Sequence, residues 1–448
     1  PANNTVLQRP LKRGARALCR CWVAAACLFT ATVLRADIEE LQLTSHDGAV
    51  HARFTVDAAG QLTYRALYRG HEVLAPAPIG ITVAGCNLGR VTSFKPLRVY
   101  RTDDRFPARG VQRESRLRAQ RALCAVQPFS GPLYGLQALV ADTGVAWRFV
   151  VPGEGVRRVN GETACWRLPP ESRVWFAERH SDWKLKTYAG EWLCSPLRGL
   201  HAVSPQGSIQ TMPLVAELPG GRGYAAIAEA ALFRYSGMRL MAETDGTLRG
   251  CFTETGGFDV DGTIQTPWRV LLLAPTLHDW VNNDLIAQLA PPPDPELFSS
   301  PESWIKSGRS VWSWWQGRDD YMQPEAEKRM IDAAATLGFE FTTLDEGWGA
   351  WTNAWSVLSE LCDYARARDV RVFVWKHSKE ICQPDHDYAA LRGFLDQVKK
   401  VGAAGVKIDF MNSESYATIL FDERVLVEAA RRQLLVNFHG CQKPSGEA

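Results

Sequence analysis

The spacing of apolar and polar positions divides the chain into two parts with different periodicities. From residue 37 to about residue 290, short apolar runs alternate with Gly, Pro, Asp and Asn, and few stretches keep a helical period for long. Segments 52–56, 80–83, 144–151, 173–176 and 224–229 read as strands bounded by turn residues. Many short strands with frequent turn signals predict an antiparallel β-sandwich over 37–290. Pro291, Pro292, Pro293, Pro295 and Pro301 then interrupt the pattern. Prolines this close together make a stiff, extended connector, so 291–303 reads as a linker.

Beyond the linker the pattern changes to strand–helix alternation. Apolar strands are predicted at 310–315, 339–344, 370–375, 405–410 and 434–438, with polar-faced helices such as 324–337 and 387–401 between them. Their midpoints recur roughly every thirty residues, the length of a βα unit. Repeated units of this kind build a barrel or an open parallel sheet. No Gly-rich phosphate loop follows the first strand, which favours the barrel over a dinucleotide fold. Residues 304–448 hold only the first five units, and a closed barrel needs about eight. The expected architecture is therefore multidomain: an N-terminal antiparallel β-sandwich followed by an incomplete (β/α)8 TIM barrel, with the chain expected to be truncated at this end.

Region 1–36 follows a third pattern. Arg9, Lys12, Arg13, Arg16 and Arg20 precede the apolar run 21–34, and no acidic residue occurs before Asp37. A basic stretch, a short apolar run and the small residue Ala36 describe a signal peptide, with a membrane anchor or buried helix as the alternative. The run is short for a bilayer span, and no other segment has about 18 continuous apolar residues. The expectation is a secreted or periplasmic protein with no stable membrane insertion after signal removal.

Composition excludes several classes. The formal charge of +2 lacks the basic excess of a nucleic-acid binder, and 46% hydrophobic residues exclude a disordered chain. Three of the 11 cysteines lie in region 1–36, and the other eight are scattered without metal-like spacing, which argues against structural zinc. Sixteen tryptophans are many; indole faces suit sugar rings and also fill cores.

In βα barrels the working residues sit at the C-terminal ends of strands. Here those ends carry Trp312, Trp314 and Trp315; Asp345, Glu346 and Trp348; Trp375, Lys376 and His377; Lys407 and Asp409; and Asn437 and His439. Lys407 and Asp409 are two apart, so they share a face and point toward the barrel mouth. They read either as a structural ion pair or as a carboxylate kept ionised for nucleophilic attack, and the polar character of the other strand ends favours the second. Asp345, Glu346, Lys376, His377, Lys407 and His439 are candidate sugar ligands, with Trp348 as a stacking face. No G-x-S-x-G elbow is present.

The stretches SVWSWW, TTLDEGW, GVKIDFM and VNFHGCQKPSG resemble glycoside hydrolase family 97, and upstream WKLKTYAGEW and AEAALFRYSGMRL are similar to its N-terminal sandwich. The resemblance implies an exo-acting α-glycosidase that acts on oligosaccharides or glycosides and uses calcium, with Glu191 as the ligand offered by the sandwich. In inverting α-glucosidase members Gly stands at the Asp409 position and a base Glu at the Gly440 position. Asp409 with Gly440 matches the retaining α-galactosidase members, which implies Asp409 as nucleophile. A retaining site needs one carboxylate against the anomeric carbon and no second one holding water. The resemblance places the acid/base Glu beyond residue 448; Glu447 is too close to the HGCQKP segment to stand in. Retaining members often have Ala where Glu346 stands, and inverting ones a carboxylate. An α-glucosidase, or a non-catalytic sugar-binding fragment, is the alternative.

Overall fold

The computed structural model describes residues 39–107, 113–178, 190–298, 304–317 and 322–446. The signal-peptide reading of 1–36 lies outside the described residues. Among the described residues no helix is long and apolar enough to cross a membrane.

The N-terminal domain is built on an antiparallel sheet running from Glu191–Pro196 through Arg173–Glu178, Leu214–Glu217, Tyr224–Ala230, Trp268–Ala274, Gly144–Val151, Tyr134–Ala141 and Glu114–Pro128 to Val91–Pro107. A four-stranded sheet of Leu41–Thr44, Val50–Val56, Leu62–Tyr68 and His71–Pro78 packs against one face. Tyr64 from that sheet meets Trp147 edge-on, with ring centres 5.7 Å apart. Strand Gly144–Val151 shows why its sequence reads as a nearly unbroken apolar run. Val145, Trp147 and Phe149 enter this inter-sheet core. Ala146, on the opposite face, joins a second cluster with Leu272 and Leu285, the latter on the short helix Leu285–Gln288. Arg148 alone on this strand is not fully buried.

The C-terminal domain has five parallel strands in sequence order, β1 (Ser310–Trp312), β2 (Phe341–Leu344), β3 (Arg371–His377), β4 (Gly405–Asp409) and β5 (Leu435–His439). Helices α1 (Pro324–Leu337), α2 (Ala354–Arg366), α3 (Ala389–Lys400) and α4 (Tyr416–Arg431) connect them. This is the expected half-barrel. Pro324 opens α1, where its missing N–H is harmless, and Gly338 closes it in the left-handed conformation (φ 65°). The predicted first strand, 310–315, stops earlier, because Trp314–Gly317 turns helical.

Register decides which side chains meet. Trp375 lies opposite Lys407, His377 opposite Asp409, and Asp409 opposite His439. Alternation sends Val374, Val406 and Ile408 to the other face, where they pack under the helices. Gly405 is needed on the inner face, since a Cβ there would lie 2.6 Å from the Phe373 ring.

Candidate active site

The C-terminal ends of β2 to β5 converge on a buried charge cluster. Asp345 follows β2 directly and is 2% exposed; Lys407 and Asp409 on β4 are 3% and 4% exposed. Lys407 Nζ donates to Asp345 Oδ2 at 2.5 Å and lies 3.6 Å from Asp409 Oδ2. The Trp312 indole N–H donates to the same Asp345 oxygen at 2.5 Å, while the Lys407 ammonium sits 4.2 Å from the Trp312 ring centre. One cation thus serves two buried carboxylates and is itself covered by an aromatic face, an arrangement that avoids an unpaired charge in a poor dielectric.

Asp409 is held at both oxygens. Its Oδ1 accepts the Phe410 backbone N–H at 2.7 Å. Its Oδ2 accepts the His439 Nδ1–H at 3.0 Å and the Trp375 indole N–H at 3.2 Å. Burial works against the charge, but His439, Lys407 and Trp375 together outweigh it and hold the carboxyl below its ordinary value. A buried, ionised and oriented carboxylate at a cavity floor is equipped for nucleophilic attack.

That cavity is a cleft of about 650 Å³ between the two domains. Asp345, Glu346, Lys407 and Asp409 form its polar floor, and the segment from Phe438 to Pro444 forms one wall. The sandwich supplies the facing wall through Trp192, Met212 and Pro213, with Trp315 of the barrel at the rim. His377 shares the inward face with Asp409 and lies against the Phe410 ring, 5.1 Å between centres. Its Nδ1 accepts the Lys379 backbone N–H at 3.2 Å. Burial, aided by Lys379, keeps its imidazole below the ordinary value, hence neutral near pH 7 with Nε2–H available to donate.

Three expected sugar contacts are not among the residues that line the cleft: His377, which lies behind Phe410, and Lys376 and Trp348. Lys376 alternates with Trp375 and His377, so it projects to the helix side; it pairs with Glu380 and lies 5.6 Å from the Phe394 ring of α3. Trp348 is 5% exposed, packs edge-on against Trp355 and donates its indole N–H to the Trp375 carbonyl at 2.9 Å. It is a core residue beneath the site rather than a stacking face.

Other contributors had no role assigned from sequence. Trp375 holds Asp409, and its position two residues before His377 is the signal that would have found it. Of the sandwich residues lining the facing wall, Trp192 closes the WKLKTYAGEW segment, while Met212 and Pro213 carry no local signal. Glu191 is exposed beside Trp192 at the sandwich edge. Among the described residues no three acidic, His or Cys side chains converge to hold a metal. Calcium takes six to eight oxygens, so Glu191 does not by itself make a calcium site.

Comparison with known proteins agrees with this architecture. Residues 43–292 match the family model described as "Glycosyl-hydrolase 97 N-terminal", and residues 304–448 match "Glycoside hydrolase 97". The chain is 33% identical over 422 residues to a probable retaining alpha-galactosidase of Streptomyces bingchenggensis, covering 88% of this chain and 61% of that protein. It is 24% identical to a retaining alpha-galactosidase of Bacteroides thetaiotaomicron, covering 91% and 65%. The chain therefore spans less than two thirds of the length of these relatives. Among solved structures, a beta-arabinopyranosidase superposes with TM-score 0.77 at 21% identity, covering 91% of this chain and 68% of that one. A family 97 enzyme from Pseudoalteromonas sp. strain K8, in complex with acarbose, superposes with TM-score 0.75 at 18% identity, covering 91% and 67%. With the sandwich model alone matching more than half of its residues, the chain belongs to glycoside hydrolase family 97.

Proposed function

We propose that this chain carries the glycone site and nucleophile of an exo-acting, retaining α-glycosidase, most suited to α-galactosides. The observation that carries the reading is Asp409: ionised, buried, held at both oxygens, and facing a sugar-sized cleft whose wall has Gly440 where an inverting enzyme needs a base. The identity to retaining alpha-galactosidases supports the same reading.

In the proposed first step an Asp409 oxygen forms a bond to the anomeric carbon as the glycosidic C–O bond breaks. The leaving oxygen takes a proton from a carboxylic acid that we place beyond residue 448. In the second step the same group, now a carboxylate, removes a proton from water, which displaces Asp409 and restores the original anomeric configuration. Lys407 and Asp345 hold hydroxyls of the terminal sugar at the floor, and His439 donates from the side. Glu191 is proposed as one carboxylate toward calcium, and no step is assigned to that ion. The leader expected at 1–36 fits export of such an enzyme.

A dinitrophenyl α-galactoside with added azide, which needs neither a protonated leaving group nor an activated water, tests the chemistry on the chain itself. Proton NMR is expected to show α-galactosyl azide as the product; the β-azide overturns the retaining reading.

A further inference from the structure

The sandwich also grips the barrel beside the cleft, through Lys443 of its wall. Glu229 lies near the end of the sandwich strand Tyr224–Ala230, and both of its oxygens are occupied. Oε2 takes Arg269 Nη1 at 2.5 Å, and Arg269 is held in turn by both oxygens of Glu162, at 2.6 and 3.0 Å. Oε1 lies 2.7 Å from Lys443 Nζ, which also reaches Glu414 Oε2 at 2.8 Å. Three carboxylates and two cations thus form one buried chain across the domain boundary; Arg269, Glu162 and Glu229 are fully buried.

Backbone bonds reinforce the same seam. Ala231 N–H donates to the Ser445 carbonyl at 2.7 Å, and Gly237 N–H donates to the Glu414 carbonyl at 2.8 Å. The sandwich segment 229–238 therefore grips two barrel loops, the one after β4 (410–414) and the one after β5 (440–445). Those loops directly follow Asp409 and His439. They hold Phe410 at φ 65° and Asn412 at φ 57°, left-handed values that are uncommon for non-glycine residues and persist only where the surroundings enforce them. They also bond to each other, Phe410 N–H to the His439 carbonyl and Asn412 N–H to the Gly440 carbonyl, each at 3.1 Å.

We propose that segment 229–238, acting through Lys443, is a positioning element for the nucleophile: it fixes both loops and thereby the Asp409–His439 bond. The sandwich is then part of the catalytic apparatus and more than a wall of the cleft. This rests on the reading of Asp409 as nucleophile only for its consequence in turnover; the geometry is testable without it.

Two variants separate the clamp from simple misfolding. Gly237→Ala leaves every charge in place but puts a methyl 2.6 Å from Glu414 Cβ. The combination Lys443→Met, Glu229→Gln and Glu414→Gln removes the charges together, so none is left buried alone. In both, amide exchange at 410–415 and 440–446 is expected to rise roughly 10- to 100-fold while strand Gly144–Val151 keeps its protection. The Asp409 carboxyl, followed by carbon-13 NMR, faces Lys407 on its own strand, His439 on β5, Trp375 and His377 on β3, and Asp345 through Lys407. Losing the His439 contact is expected to move its titration upward. Looser loops with an unmoved Asp409 titration, or unchanged exchange, overturn the proposal. Failure of the parent chain to act on the galactoside counts against the retaining reading alone.

Discussion

His439 and Asp409 face each other in register across neighbouring parallel strands, and the imidazole Nδ1–H meets the carboxylate Oδ2 at 3.0 Å. His439 is half exposed while Asp409 is almost fully buried, so the histidine joins the buried carboxylate to the open cleft. In the proposed mechanism Asp409 acts as its carboxylate, which persists above its folded-state pKa and is lost as pH falls through it. That pKa is depressed, with His439 the largest favourable cause. His439→Ala is therefore expected to shift the acid limb of turnover toward higher pH. A pH–rate profile with the dinitrophenyl galactoside checks the direction.

Lys407 is the counter-ion shared by Asp345 and Asp409. Lys407→Met strands two buried carboxylates and is expected to cost about 3–5 kcal/mol, the usual result of breaking a buried pair from one side. The denaturant midpoint should fall accordingly, and adding Asp345→Asn should recover part of the loss.

Trp348 and Trp192 are expected to behave in opposite ways. Trp348→Ala opens a cavity under the site and should cost about 3–5 kcal/mol of stability. Trp192→Ala, at a half-exposed position on the cleft wall, should stay within roughly 0.5 kcal/mol. Its effect should appear instead as a raised KM.

Glu327, on the first turn of α1, is buried with one oxygen accepting the Ser313 hydroxyl at 2.8 Å. Burial, with Asp345 nearby, pushes its carboxyl up to about 7. The folded value lies above the unfolded one, so its contribution is complete below about pH 4.5 and is lost as pH rises through about 7. The total is on the order of 3 kcal/mol. Glu327→Gln imitates the protonated form and should flatten the stability–pH curve across that window, as measured by urea unfolding at each pH.

The sequence exposed the strand ends well because two rules act locally: strands alternate with period two, and barrel chemistry gathers at their C-terminal ends. Asp345, Lys407, Asp409 and His439 were legible for that reason. Lys376 was misread because it and His377 are neighbours on one strand and cannot share a face. Trp348 was misread because an indole suits a core as well as a sugar. The long hairpin of Val91–Pro107 and Glu114–Pro128 escaped an apolar-run reading. Its outer part is charged, with Arg116 bidentate to Asp103 at 2.5 and 2.6 Å. The Glu229–Lys443 contact joins residues from different domains, and nothing local to either one announces the other.

The central claim is that Asp409 forms the covalent bond to the sugar. Incubation with an activated fluorinated α-galactoside, followed by peptide mass spectrometry, tests it most directly. One glycosyl adduct is expected, on Asp409, absent from the Asp409→Asn chain. A label on another carboxylate, or sugar bound without any adduct forming, would contradict it.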